Sequence, residues 1–91
     1  GGGVTYISGQ AEAGDGTLAD ATKSTMRSLL KTVEYLQRTP ADIVQIKAFL
    51  TPMAASADAL REIQGAFGEG RCPPVVLVAW QSSLPIEIEL I

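Results

Sequence analysis

The segment from Ile43 to Leu50 is the clearest strand in this sequence, and it constrains the fold most because both of its faces carry apolar side chains. Side chains alternate along a strand, so positions 44, 46, 48 and 50 point one way, and all four are apolar. The opposite face combines Ile43 and Phe49 with the polar Gln45 and Lys47. Neither face is simply solvated, and the fold must therefore cover this strand on two sides.

Hydrophobic periodicity and turn residues predict two helices and three further strands. Thr17 is the expected cap of the first helix and Pro40 ends it, while Gly68 ends the second helix. In chain order, the predicted elements are a strand at Val4–Ser8, a helix at Thr17–Arg38, the strand at Ile43–Leu50, a helix at Ala54–Phe67, and strands at Val75–Trp80 and Ile86–Ile91. The expected buried face of the second helix consists of Ala57, Leu60, Ile63, Gln64 and Phe67.

The order β-α-β-α-β-β is typical of an α+β domain in which both helices pack on one face of a mixed sheet. The 91 residues predict a single domain at residues 4–91, and we interpret Gly1–Gly3 as a cloning remnant or a frayed end. The second sheet face would leave Phe49 and part of the apolar run Val75–Trp80 in water, at a cost of about 25 cal/mol per Å². Since 46% of the residues are hydrophobic, we expect the chain to associate with copies of itself.

Composition excludes several classes of function. The absence of histidine removes Ser–His and Cys–His nucleophile pairs and histidine metal sites, and no metal or cofactor is expected. The single Cys72 allows no intrachain disulfide, and a free thiol fits a reducing compartment. With 7 basic against 10 acidic residues, the chain lacks the basic surface that nucleic acid requires. No apolar run reaches the length of about 20 residues that spans a membrane. No signal peptide is visible either, so we expect a cytoplasmic protein without a membrane partner.

Few residues of this sequence could carry chemistry. Glu87 and Glu89 lie two positions apart on one strand face, where they form either a solvated surface or a carboxylate pair with one general acid or base. Ser8 and Gly9 offer a hydroxyl and a bare backbone N–H beside a ligand, or simply end a strand. Cys72 follows Arg71, whose charge favours a thiolate, but an ordinary loop thiol is the simpler interpretation.

Five segments match a family pattern in the correct order. They are Tyr6-Ile7-Ser8-Gly9-Gln10; the segment Asp42–Met53, which is similar to D-D-V-V-K-x-x-V-F-L-T-D-M; Phe67-Gly68-Glu69, similar to F-F-G-E; Pro73-Pro74 with the following valines, similar to P-A-R-x-x-V-x-V; and Ile86-Glu87-Ile88-Glu89, similar to I-E-I-E-A-I. With these segments the chain resembles the RidA/YjgF family, which is also called the endoribonuclease L-PSP family.

The resemblance implies a chorismate-mutase-like α+β fold and a homotrimer. In such a trimer three sheets form a central barrel, the helices lie outside, and ligand clefts lie between subunits. The resemblance also implies hydrolytic deamination of reactive enamines and imines, such as 2-aminoacrylate, to 2-oxo acids. The partners expected from it are other copies of the chain and a small-molecule ligand.

The chain departs from the family pattern at several site positions. Val75 occupies the position of the arginine that binds the substrate carboxylate, and valine cannot make that charge-assisted pair. Leu77 and Leu60 stand where the family has a cysteine and an asparagine. The family's upstream strand with its pocket tyrosine is expected to be missing, because the chain starts close to Ser8. Ser8 and Glu87 are kept, and Glu87 matches the glutamate that positions the attacking water.

These residues lead to three hypotheses. The first is a divergent RidA-like trimer that binds a small metabolite and has lost or altered its deaminase activity. The second is an active imine deaminase or related hydrolase that uses Glu87 and Ser8. The third is a structural trimer without activity. The predicted site consists of Glu87 as the catalytic residue and Ser8, Gly9, Val75, Val76 and Leu77 as substrate-binding residues.

Overall fold

Strands and helices follow one another in the predicted order in a computed structural model that describes residues 7–10, 17–68, 70–82 and 84–91. Two short 3₁₀ turns, Pro40–Asp42 and Met53–Ala55, precede the second strand and the second helix. The main elements are β1 at Ile7–Gln10, α1 at Leu18–Tyr35, β2 at Ile46–Leu50, α2 at Ser56–Phe67, β3 at Val75–Ala79 and β4 at Ile86–Leu90.

The four strands form one mixed sheet in the order β1-β4-β2-β3. β2 and β3 are parallel and are connected through α2, whereas β4 is antiparallel to both β1 and β2. Both helices contribute buried side chains to a single core against this sheet. The predicted α+β class, with two helices on a mixed sheet, is confirmed.

Local sequence determines both ends of α1. Thr17 caps its first turn through a reciprocal pair of hydrogen bonds: the Asp20 N–H donates to Thr17 Oγ1 at 3.1 Å, and the Thr17 N–H donates to Asp20 Oδ2 at 3.2 Å. The helix ends at Tyr35, three residues before the predicted end. Gln37 adopts a positive φ of 60°, and the Arg38 N–H donates to the carbonyl of Val33. This Schellman-type closure, rather than Pro40, stops the helix.

The core lies between the two helices and one face of the sheet. On β2 and β4 every second residue is buried, as the alternating pattern predicts. On α2 the buried residues are Ala59, Ile63 and Phe67, so the prediction was wrong for the exposed Ala57 and Gln64. The core residues contributed by the strands are Ile46, Ala48, Leu50, Ile86, Ile88 and Leu90, and those from α1 include Met26, Leu29 and Val33.

Strand boundaries differ from the prediction at two places. β1 continues through Gly9 to Gln10, because both residues pair with β4. The backbone of Gly9 also lies close to α1. A Cβ at Gly9 would lie 3.1 Å from Leu29 Cδ2, which explains why glycine fits there. β2 begins at Ile46 rather than Ile43. The predicted strand residues Val4–Tyr6 lie outside the described residues.

Among the described residues, no helix covers the other face of the sheet. We call it the helix-free face. The residues that alternate with the core residues along the strands lie on it, among them Lys47, Phe49, Val76 and Glu87. β3 is an edge strand, and its side chains are partly buried or exposed throughout. Among the described residues, no helix has the length and apolar character needed to cross a membrane.

Candidate functional site

Two rows of side chains cross the helix-free face of the sheet, because residues paired across strands share a face. The first row contains Ser8, Glu89, Lys47 and Val76, one from each strand. In the second row Glu87 pairs with Phe49, and Phe49 pairs with Val78. Charged and polar groups therefore lie toward β1 and β4, and apolar groups lie toward β3.

The β3 side of this face is an apolar patch, formed by Phe49, Val76, Val78 and Trp80. The rings of Phe49 and Trp80 pack with their centroids 6.1 Å apart at an interplanar angle of 39°. Val76 is 39% exposed although it is a large apolar residue. Trp80 Nε1 is buried without a hydrogen-bond partner among the described residues, which leaves a donor unsatisfied in the single chain.

The predicted site residues divide between the two faces of the sheet. Ser8, Val76 and Glu87 lie on the helix-free face. Gly9, Val75 and Leu77 lie on the helix side, because Gly9 pairs with Ile88, Val75 with Ile46 and Leu77 with Ala48, all of which are buried.

Val75 and Leu77 pack against the core in this chain. A small ligand that contacts Glu87 on the helix-free face therefore does not touch the side chain of Val75 in the same chain. Val75 and Glu87 can line one cleft only if two chains contribute them.

Many solved structures share this architecture. A candidate endoribonuclease from Thermotoga maritima matches with a TM-score of 0.81 and 25% identity over 93% of this chain and 74% of its own. A YjgF-family member from Mycobacterium tuberculosis matches with a TM-score of 0.78 and 19% identity over 93% of this chain and 75% of that chain. A Rid-family protein of unknown function from Yersinia pestis matches with a TM-score of 0.70 and 21% identity over the same shares, 93% and 75%.

The chain has the YjgF/Rid fold. The resemblance inferred from its five sequence segments is thereby confirmed. No protein-family model matches the sequence, and no curated protein matches it. The fold is thus recognisable from these solved structures.

In this YjgF/Rid-fold chain, Lys47 also lies on the helix-free face, although it was not among the predicted site residues. It lies between Glu89 and Val76 in the first row and is partly buried. The signal was present in the sequence, because the alternation of Ile43–Leu50 already placed Lys47 beside Phe49.

A concave region lies at the end of the sheet away from Glu87. This cleft of about 400 Å³ has an apolar base with Arg38, Thr39 and Asp42 among its lining residues. The Thr39 N–H donates to Asp42 Oδ2 at 2.8 Å, and the Thr39 hydroxyl donates to the same oxygen at 3.2 Å. The backbone hydrogen bond is the main reason why the pKa of Asp42 lies below its usual value. Sequence analysis did not identify this cleft, because the connection between α1 and β2, which forms most of its lining, meets β1 and β4 only in the folded chain.

Cys72 is an ordinary thiol of the loop before β3. Its Sγ donates to the carbonyl of Pro73 at 3.2 Å, and burial raises the pKa of the thiol. The neighbouring Arg71 therefore does not produce a reactive thiolate. Within the described residues, no group of three or more Cys, Asp or Glu side chains is placed to hold a metal ion.

Proposed function

We propose that this chain forms a homotrimer through its helix-free sheet face and binds a small metabolite in clefts between subunits, with imine deamination lost or altered. The observation that carries the proposal is the apolar patch of Phe49, Val76, Val78 and Trp80. In the single chain Val76 is exposed, while Phe49, Val78 and Trp80 are only partly buried and no described helix covers them. A neighbouring subunit would remove that apolar surface from water and give the assembly its driving force.

The unsatisfied Trp80 Nε1 supports association as well. A buried indole N–H without an acceptor destabilises the chain by about 1–3 kcal/mol. We expect the neighbouring subunit of the proposed trimer to supply an acceptor for this N–H. The proposed interface therefore satisfies both the apolar and the polar parts of Trp80.

The chemistry of the proposed cleft comes from Glu87 and Ser8. Both lie on the helix-free face, and Glu87 is partly buried beside Phe49. A carboxylate next to an aromatic ring is suited to move a proton or to orient a water molecule. Ser8 is exposed on the neighbouring row, where its hydroxyl can donate to an oxygen or nitrogen of a ligand.

Val75 is the reason to expect weak or altered deamination. It matches the family's carboxylate-binding arginine by sequence, and its side chain packs against the core. A ligand carboxylate would lose a bidentate charge-assisted contact there.

The second candidate function is an active deaminase or related hydrolase. The shared face of Ser8 and Glu87 favours it, because these are the two site residues that the chain keeps. Such an enzyme would act on a substrate that does not need an arginine at position 75.

Two measurements test these proposals together. Multi-angle light scattering at micromolar concentration should report a trimer, and a monomer would overturn the proposed assembly. Deamination of freshly generated 2-aminoacrylate should be very slow in the wild-type chain. Rapid wild-type turnover would instead establish the second candidate function. Val75→Arg adds the missing cation, and a gain in turnover on this substrate would place position 75 in a cleft between subunits.

A further inference from the structure

The cleft beside Arg38, Thr39 and Asp42 is separate from the proposed interface. We call it the α1–β2 cleft, because the connection between these two elements forms most of its lining. Its strand residues include Ile7 and Leu90, which pair with each other across β1 and β4. Leu90 is buried in the core, so both side chains point to the helix side of the sheet. The α1–β2 cleft therefore does not lie on the helix-free face, and a ligand in it would need no neighbouring subunit.

The α1–β2 cleft offers apolar surface that the chain leaves partly in water. Among its lining residues Val33 is buried, whereas Leu36 and Val44 are 46% and 67% exposed although both are large apolar residues. Exposed apolar side chains around a concave surface are typical of a binding site. The volume of about 400 Å³ lies within the usual range of small-molecule sites, about 300–1,000 Å³, and accommodates an aromatic or branched aliphatic group.

Asp42 gives this cleft a fixed negative charge. Its Oδ2 accepts both hydrogen bonds from Thr39, from the backbone N–H at 2.8 Å and from the hydroxyl at 3.2 Å. Its Oδ1 accepts none from a described residue and can accept one from a ligand. The nearby end of α1 adds to the negative potential, since the helix has no basic side chain in its last turn. An ammonium group is the ligand group that matches both features.

Arg38 gives the same cleft a positive charge. Among the described residues, the ion pair within 4.0 Å joins Asp58 to Arg61, and no described carboxylate comes that close to the guanidinium of Arg38. The charge of Arg38 nevertheless lowers the pKa of Asp42, so the two groups lie near each other without direct contact. A guanidinium with free donors can bind a carboxylate through two parallel hydrogen bonds. Two opposite charges that lie close together without pairing can be bridged by a zwitterion.

We propose that the α1–β2 cleft is a second ligand site, which binds a large apolar α-amino acid as its zwitterion. The ligand ammonium donates to Asp42 Oδ1, and its carboxylate accepts from Arg38. An α-amino acid carries both charges on one carbon, which suits two groups on the same short connection. Its side chain covers the apolar surface of Leu36 and Val44. This site shares no residue with the proposed metabolite cleft, so either site can fail without the other.

Calorimetric titration of the intact protein with L-phenylalanine, phenethylamine and 3-phenylpropanoate tests the inference, because the two analogues lack the carboxylate and the ammonium, respectively. We expect L-phenylalanine to bind about fivefold more tightly than either analogue, the usual upper contribution of one ion pair near the surface. Arg38→Met should abolish the advantage over phenethylamine, and Asp42→Asn should abolish the advantage over 3-phenylpropanoate. Arg27→Met, which removes an exposed arginine on α1, is the matched control and should behave as the wild type.

NMR of methyl-labelled protein locates the ligand and needs no variant. The methyl signals of Leu36 and Val44 should shift with L-phenylalanine, whereas those of Val76 on the helix-free face should not. A shift confined to Val76 would place the amino acid in the proposed metabolite cleft and overturn this inference, while the proposed function stands.

The remaining outcomes also decide. If phenethylamine binds as tightly as L-phenylalanine, Arg38 holds no carboxylate and a zwitterionic ligand is excluded. If neither L-phenylalanine nor L-leucine shifts the methyl signals at millimolar concentration, the α1–β2 cleft is not an amino-acid site. Should Asp42→Asn fail to fold, Arg38→Met and the methyl shifts of the wild-type chain give the answer.

Discussion

Glu87 lies directly opposite Phe49 in the pairing of β4 with β2, so a carboxylate and an aromatic ring are neighbours on the helix-free face of the sheet. Phe49 in turn packs against Trp80 on the β3 side. The same short stretch of sheet therefore combines the proposed proton-transfer group with the apolar patch of the proposed interface. Assembly and ligand binding are expected to be coupled through these residues.

Replacing Phe49 should affect assembly. Phe49→Ser removes a ring from the apolar patch and should shift the protein from trimer to monomer, because less apolar surface would be buried between subunits. Light scattering at a series of concentrations measures the shift. Tyr35→Ser is the matched control, since Tyr35 is 85% exposed on α1 and away from the sheet face. If both variants stay trimeric, the interface lies elsewhere.

Replacing Glu87 should affect chemistry more than assembly. If the chain deaminates any imine, Glu87→Gln should lower kcat by about 10²–10⁴-fold, the usual contribution of a general acid or base. Steady-state assays with 2-aminoacrylate and with bulkier imines measure this change. Glu34→Gln on the exposed side of α1 serves as the control. An unchanged kcat in Glu87→Gln would remove Glu87 from the catalytic role.

Adding a methyl group at Gly9 should destabilise the fold. The new Cβ would lie 3.1 Å from Leu29 Cδ2, so Gly9→Ala must displace Leu29 and should cost about 1–3 kcal/mol. Urea denaturation monitored by circular dichroism gives the free energy of unfolding. The double variant Gly9→Ala/Leu29→Ala should lose less stability than the sum of the two single losses, because the smaller Leu29 replacement makes room. An additive result would mean that the two positions are not in contact.

Asp42 should make the stability of the turn before β2 depend on pH. Its pKa is lowered in the folded chain from the ordinary value of 3.8, so the ionised carboxylate stabilises the fold above that value. The contribution disappears as the pH falls through the lowered folded-state pKa. Asp42→Asn should therefore lower Tm at pH 7 and converge with the wild type in strong acid. A constant difference in Tm at every pH would contradict this role.

Cys72 should alkylate slowly. Burial raises the pKa of its thiol, so the thiolate fraction at pH 7 is smaller than that of an unfolded thiol. Iodoacetamide should react with the folded protein more slowly than with the urea-unfolded protein at the same pH. Equal rates would show that the thiol is not protected.

The alternation of apolar and polar residues was enough to predict the layers of this fold. Ile86, Ile88 and Leu90 alternate with glutamates, and the structure buries the three apolar residues while the glutamates lie on the other face. The capping box at Thr17 was equally visible, because it depends on residues that are close in sequence. Local patterns of this kind report local geometry and one buried face.

The arrangement of the site could not be predicted in the same way. Val75 and Glu87 both match site positions of the family in sequence, but the register of β2 with β3 and with β4 puts their side chains on opposite faces. Register depends on pairings between distant segments, and a shift of one residue would reverse every assignment. On α2 the structure buries Ala59 and exposes Ala57, because packing against distant segments determines which face of a helix is buried.

The position of β4 has a consequence for the order in which the chain can fold. β4 is the last strand along the described chain, yet it lies between β1 and β2, and its Leu90 pairs with Ile7 near the other end. During synthesis on the ribosome, β1 has no partner among the described strands, and β2 has one open edge, until Ile86–Leu90 emerges. Loop closure between such distant segments is slow, and open apolar edges attract other chains. Folding is therefore expected to finish in one late step, which leaves nascent chains dependent on protection from aggregation until β4 is available.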